Sequence, residues 1–320
     1  GFHYVQGGYF QKGFGKHGAL SNPYAFGYFP QMTHHSVPRF THTFVIYEGT
    51  TLPADYQGKL FGVEPLQGRV VFSDVQPDRS SFKTRDLGYA LTTTDSWFRP
   101  VDIKAGPDGA LYVADMYEQR IDHASHYQGR IDKQSGRIYR IKAKGGKSGA
   151  KIELVKSGND GLLASLHSND RWLRQAALGV IADRGDKNLA PGLRQALADS
   201  SGQAALELLW ALHLVGGLSD EAALQSLDHE DPYVRLWTAR LIADTGRVSP
   251  ALRDKLADLA YRDPQVAVRS QLAASARRLP AADGLPILRQ LMARDEDSDD
   301  IHVPLLIWWG LEAKAESDRE

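Results

Sequence analysis

The chain has no cysteine. That excludes disulfides, thiolate metal ligands, a cysteine nucleophile and covalent c-type haem within these residues. It has no run of about twenty apolar residues, the length a membrane-spanning helix needs. It also lacks an excess of either charge. Its 38 basic and 39 acidic residues leave −1, which argues against nucleic acid as a partner held by a broad basic surface. The opening "GFHYV" carries neither the basic nor the apolar region of a signal peptide. It reads as the middle of a domain, so the expectation is a C-terminal part of something larger. No serine sits in a nucleophile elbow. The glycines of "GGYFQKGFGKHG" lack the strand-to-helix context of a phosphate or dinucleotide site.

What is present divides in two. All 11 Phe, 11 of the 13 Tyr and 7 of the 11 His precede Lys142. The Gly/Lys/Ser run "KAKGGKSGAK" then reads as a solvated linker. The expected division is residues 1–145 as β, 146–153 as linker and 154–320 as helical. Seven short strands are predicted in the first part: 42–49, 58–65, 68–75, 81–88, 100–106, 110–117 and 136–143. Close Gly/Pro turns between them suggest four-stranded antiparallel units, as in the last blades of a β-propeller, with a sandwich as the alternative. At roughly 40–50 residues per blade, this is only about three blades.

In the second part "SNDRWLRQAALGVIADRGD", "HEDPYVRLWTARLIADTGR" and "YRDPQVAVRSQLAASARRL" align. Each has an Asp (Asp170, Asp231, Asp263) leading an amphipathic helix, and Pro232 and Pro264 are placed in the first turn of two of them. Arg174, Arg235 and Arg269 follow. With partner helices at 189–197, 204–214 and 251–259, this predicts an α-solenoid of HEAT-like repeats. Such a surface suits a protein partner. Trp308 and Trp309 in the last unit are expected to be core or cap.

Candidate chemistry falls in two segments. His34, His35, Arg39 and His42 lie just before a strong strand, where histidines can move protons or ligate a metal. Arg99, Asp102, Asp115 and Tyr117 border the hairpin "PVDIKAGPDGALYVADMY", and Asp122, His123, His126, Tyr127 and Arg130 follow. Asp beside His favours general-base work, and Arg can hold a carboxylate. In the hairpin turn, Gly106-Pro107-Asp108-Gly109 has the chemistry of a tight turn. Asp115 falls on the apolar face, so it is either locked by hydrogen bonds or faces a polar cavity.

"SNPYAFGYFPQMTH", "RFTHTFVIYEG", "FRPVDIKAGPDGALYVADMYE" and "HYQGRIDKQSGRIYRIK", followed by HEAT-like repeats, resemble large multidomain proteins of planctomycetes and related bacteria named as membrane-bound dehydrogenases. The resemblance implies a propeller similar to soluble quinoprotein glucose and sorbosone dehydrogenases, in a periplasmic, secreted or membrane-associated protein oxidising a sugar or polyol. It implies a PQQ-like quinone and calcium, with haem c in a separate domain or partner and the remaining blades supplied outside these residues. On that reading His34, His42, Asp102, His123 and His126 are catalytic, Arg39, Arg99, Tyr117 and Arg130 contact the cofactor, and Asp102 and Asp115 ligate the metal. The alternatives are a propeller and HEAT scaffold that binds a glycan or protein, and a metal-dependent lactonase or hydrolase.

Overall fold

The computed structural model describes residues 1–10, 27–35, 43–120, 124, 127–129, 132, 134–146 and 153–317. Antiparallel sheets come first and a helical region follows. Two compact units emerge. One holds Thr33–Gln76 and Lys83–Ala177; the other holds Gly1–Met32, Pro77–Phe82 and Leu178–Glu320.

The first unit carries two sheets. Strands β1 (His34–His35), β2 (Phe44–Ile46), β3 (Leu60–Glu64), β4 (Arg69–Asp78) and β5 (Ser81–Thr92) form one in the order β1-β5-β4-β3-β2. Strands β6 (Pro100–Ala105), β7 (Leu111–Asp115) and β8 (Arg137–Ile141) form the other. All seven predicted strands are found, each somewhat trimmed or extended. β1 is an addition. It pairs parallel with β5, His34 opposite Thr84, which places His34 in a strand rather than a loop.

Strand β7 alternates buried and half-buried residues, whereas β3 is buried along its whole length. Phe61, Val63, Val70, Ile103, Leu111 and Val113 are buried, together with Tyr47 and Phe98. A buried tyrosine must satisfy its hydroxyl. Tyr47 donates to the Gly109 carbonyl (2.8 Å) and accepts the N–H groups of Thr51 (3.0 Å) and Leu52 (2.9 Å). That ties the β6–β7 turn to the loop after β2. The turn itself is built as its residues dictate. Gly109 N–H donates to Gly106 (3.0 Å), Asp108 accepts from Ala110 N–H (3.1 Å), and Gly109 has φ +75°. A Cβ there would come within 2.4 Å of Thr50 Oγ1, so only glycine fits.

The helices are α1 (Asn159–Leu166), α2 (Arg171–Arg184), α3 (Ala190–Ala198), α4 (Gly202–Leu214), α5 (Asp220–Leu227), α6 (Pro232–Ala243), α7 (Pro250–Arg262), α8 (Val266–Arg278), α9 (Ala281–Met292) and α10 (Val303–Ser317). In the second unit they stack in two rows: α4, α6, α8 and α10 pack successively, and so do α5, α7 and α9. Asp231 caps α6 by accepting Tyr233 N–H (2.8 Å), with Pro232 at the first helical position. The third aligned segment departs from the expected pattern. Asp263 accepts Gln265 N–H (2.9 Å), but α8 starts only at Val266, so Pro264 lies outside the helix.

The aligned arginines turn inward. Arg235 makes a bidentate pair with Asp263 (2.7 and 3.0 Å) and donates to the His229 carbonyl (2.8 Å). Arg269 repeats this one unit on, with Asp297 (2.6 and 2.5 Å) and the Asp263 carbonyl (2.7 Å). Each buried guanidinium thus binds the acid 28 residues ahead and the carbonyl six residues behind. In the sheet-bearing unit Arg174 pairs with Glu48 and donates to the Ser168 carbonyl (2.8 Å).

The second unit also contains segments that sequence assigned to the β part. Phe29 is fully buried in the helical core, its ring 5.0 Å from that of Trp309 and 5.5 Å from that of Phe10. Gly8 lies flat against Phe29, where a Cβ would come within 2.3 Å of its ring. Arg277 donates to the Gly7 carbonyl and to Tyr9 Oη (2.9 Å). Trp309 is core, as expected, whereas Trp308 is 44% exposed.

Candidate functional site

Arg99, Asp115 and Tyr117 do come together. The Asp115 side chain is buried, and its Oδ1 accepts the backbone N–H groups of Arg99 and Tyr117, each at 2.8 Å. Its Oδ2 lies 3.8 Å from Arg137 Nη1 and takes no hydrogen bond. Tyr117, at φ +55°, places its ring 4.2 Å from the Arg137 guanidinium. The Arg99 side chain donates to the carbonyls of Phe98 (2.7 Å) and Gln119. Asp115 is therefore a strut that closes the start of β6 onto the end of β7.

Asp102 keeps different company. A register shift between Pro100 and Asp102 sets it opposite Ala114. Its Oδ1 accepts from Thr43 Oγ1 (2.9 Å) and Ile103 N–H (2.9 Å) and pairs with Lys104 (3.1 Å). Burial raises its pKa, but the bonds from Thr43, Lys104 and Ile103 outweigh that and hold the carboxyl below the usual range. His34 contacts Thr84 Oγ1 (2.7 Å), with Asp86 3.7 Å from its other nitrogen. Arg39, His42, His123, His126 and Arg130 lie outside the described residues.

Calcium takes six to eight oxygen ligands. Among the described residues, no three His, Asp or Glu side chains form a group able to hold a metal ion. Asp102 and Asp115 are each engaged by their own partners.

The second unit holds a pocket that sequence reading did not find. Its volume is about 190 Å³. The walls come from His3–Gln6, from the turn between β4 and β5, and from α6 and α8. Two arginines line it, Arg79 and Arg240, and no acidic side chain does. The Arg240 guanidinium lies 4.7 Å from the Trp237 ring, and Arg79 donates to the Asp299 carbonyl (2.6 Å). Beneath the pocket is a buried polar chain. Ser80 Oγ donates its one hydrogen to Asp300 Oδ1 (2.6 Å), so its 3.0 Å contact with His302 Nδ1 must be accepted from that ring. Neutral His302 therefore carries its proton on Nδ1. The His3 ring lies 5.3 Å from that of His302, tilted by 59°, and His3 Nδ1 is buried without a hydrogen-bond partner, as is Ser81 Oγ.

Burial, reinforced by His3, pushes the His302 pKa down to about 4, against the opposing pull of Asp300. Burial lowers His3 as well. Asp300 is held below the carboxylate range because bonds from Ser80 and the N–H groups of Val303 and His302 overcome its burial. The sign follows. An imidazole lowered on folding takes up protons more readily when unfolded, so stability is complete above about pH 6.5 and falls as pH drops toward 4. Asp300 acts only below about pH 4. Moving from pH 7.5 to 5.0 is expected to cost about 1–2 kcal/mol, allowing for solvent screening. The urea midpoint would fall accordingly, and an unchanged midpoint would contradict the burial of a neutral His302.

A signal for this site was present in the sequence but went unused. Acids, a histidine and a proline crowd together in "DSDDIHVP", and His3 sits among aromatics in "GFHYV".

With that geometry established, the family matches can be placed on it. Residues 221–302 match the family model for HEAT repeats. Residues 23–145 match one described as a domain of unknown function, DUF7133. No curated protein matches the chain. The helices α5 to α9 thus lie within a HEAT region, a kind of repeat that commonly mediates protein interactions. Among the described residues no helix is long and apolar enough to cross a membrane.

Proposed function

We propose that this chain is a recognition scaffold that holds a protein partner on its HEAT helices. The observation carrying this reading is an apolar groove of about 650 Å³ along α9 and α10. Leu285, Pro286, Met292, Ala293 and Leu311 line it, with Arg289 and Gln290. Leu285 is 40% and Met292 59% exposed, apolar area of the kind that marks an interaction surface. The buried Arg–Asp pairs support the reading, since a stiff stack presents such a face in a fixed shape.

The test is co-purification of the full-length protein from its native cells, with and without Met292→Asp and Leu285→Asp. Both sites are exposed, so the double variant keeps its melting temperature and loses its partner. A variant that retains the same partners overturns the reading.

A second reading, a quinoprotein-like dehydrogenase of sugars or polyols, is favoured by the antiparallel sheets and by the family resemblance. There the sheets would be propeller blades, completed outside these residues, passing electrons to haem or a quinone acceptor. Reduction of a dye acceptor by aldoses with added quinone and calcium would favour it over the scaffold.

A further inference from the structure

We propose that the pocket between the N-terminal segment, the β4–β5 turn, α6 and α8 binds a small aromatic carboxylate. This goes beyond the scaffold reading and uses a different face of the helical unit. Four observations carry it.

The first is charge. Arg79 and Arg240 line one pocket with no acid on its walls, and neither makes an ion pair with a described carboxylate. Elsewhere in this unit Arg235 pairs with Asp263, Arg269 with Asp297 and Arg278 with Asp244, and Arg277 is taken up by the Gly7 carbonyl and Tyr9 Oη. Two cations left over at one cavity invite an anion, and the guanidinium fork suits a carboxylate.

The second is the wall chemistry. Phe82, Tyr233 and Trp237 present rings, and Arg240 is already steadied over Trp237. A planar apolar ring fits among them by offset or edge contacts.

The third is what is already satisfied. Gln271, which could otherwise read hydroxyls, donates to Gln6 (3.2 Å) and Ser275 (3.1 Å), and Gln6 donates to Asp244 (3.1 Å). That spends both amide donors of Gln271 and one of the two on Gln6, leaving few for a polyhydroxylated ligand.

The fourth is that His3 Nδ1 and Ser81 Oγ are buried and unpartnered on two wall residues. Orphaned polar atoms beside a cavity are where a ligand oxygen or an ordered water is expected.

The experiment is calorimetric titration of the full chain with benzoate, benzamide, glucuronate and inorganic phosphate, at low salt and at 0.5 M salt. Benzoate is expected to bind with Kd on the order of 0.1–1 mM. Benzamide, lacking the charge, should bind at least about tenfold more weakly, and raised salt should weaken benzoate while leaving benzamide unchanged. Arg79→Gln with Arg240→Gln should abolish the preference for benzoate over benzamide while leaving the melting temperature unchanged, since neither residue is buried. Equal binding of benzamide, tighter binding of glucuronate or phosphate, no binding of any ligand, or a preference that survives in the double variant would each overturn the proposal.

Discussion

Arg269→Ala is expected to destabilise the helical unit by about 3–5 kcal/mol, the cost of leaving a buried ion unpaired. Its guanidinium holds Asp297 through two bonds and the Asp263 carbonyl through a third, all buried. Truncation strands the Asp297 carboxylate and that carbonyl without removing the need to satisfy them. The loss also reaches the preceding repeat, because Asp263 is itself the acid that receives Arg235. Urea unfolding should show the loss as a lower midpoint. Replacing both partners, Arg269→Met with Asp297→Leu, should recover most of it, since apolar groups of similar volume leave nothing unpaired. A single variant within 1 kcal/mol of the parent would mean that the pair is hydrated rather than buried.

Phe29→Ala should cost a comparable amount, about 3–5 kcal/mol. Phe29 is wholly buried, its ring 4.3 Å from that of His302 and 5.0 Å from that of Trp309. Its N–H donates to the Tyr9 carbonyl (2.7 Å), so the side chain anchors two stretches of chain on α10 at once. The expected loss is large because the cavity is bounded by the packed rings of Phe10, His302 and Trp309. Calorimetric melting checks it, and a change below 1 kcal/mol would show that these stretches are not part of the helical core.

Those two residues also mark the limit of what could be read from sequence. Strands β2 to β8 were visible because alternating apolar residues and Gly/Pro/Asp turns are local signals, and the β6–β7 turn has the bonds its residues imply. The helices were visible through caps and spacing. The Arg that follows each leading Asp is legible too. Its partner is not, because Arg235 and Arg269 reach the next repeat's acid and not their own, and helical periodicity says nothing about contacts between repeats. Asp115, on the apolar face of its strand, is locked by two backbone amides. Phe29 and Tyr9 looked like more of the aromatic-rich β part. Their place in the helical core is a tertiary outcome that composition cannot separate from strand propensity. The pocket was hidden for the same reason, since its walls come from stretches more than 200 residues apart.

The central claim is that Gly1–Phe10, the β4–β5 turn and α8–α10 fold as one unit enclosing the polar chain of Ser80, Asp300 and His302. Native-state amide hydrogen exchange tests it most directly. The amides of Phe29, Ser80, His302 and Val303 should be protected and should open with α8 and α10, losing that protection together in Phe29→Ala. Rapid exchange at Phe29 and Ser80 while α8 and α10 stay protected would contradict it.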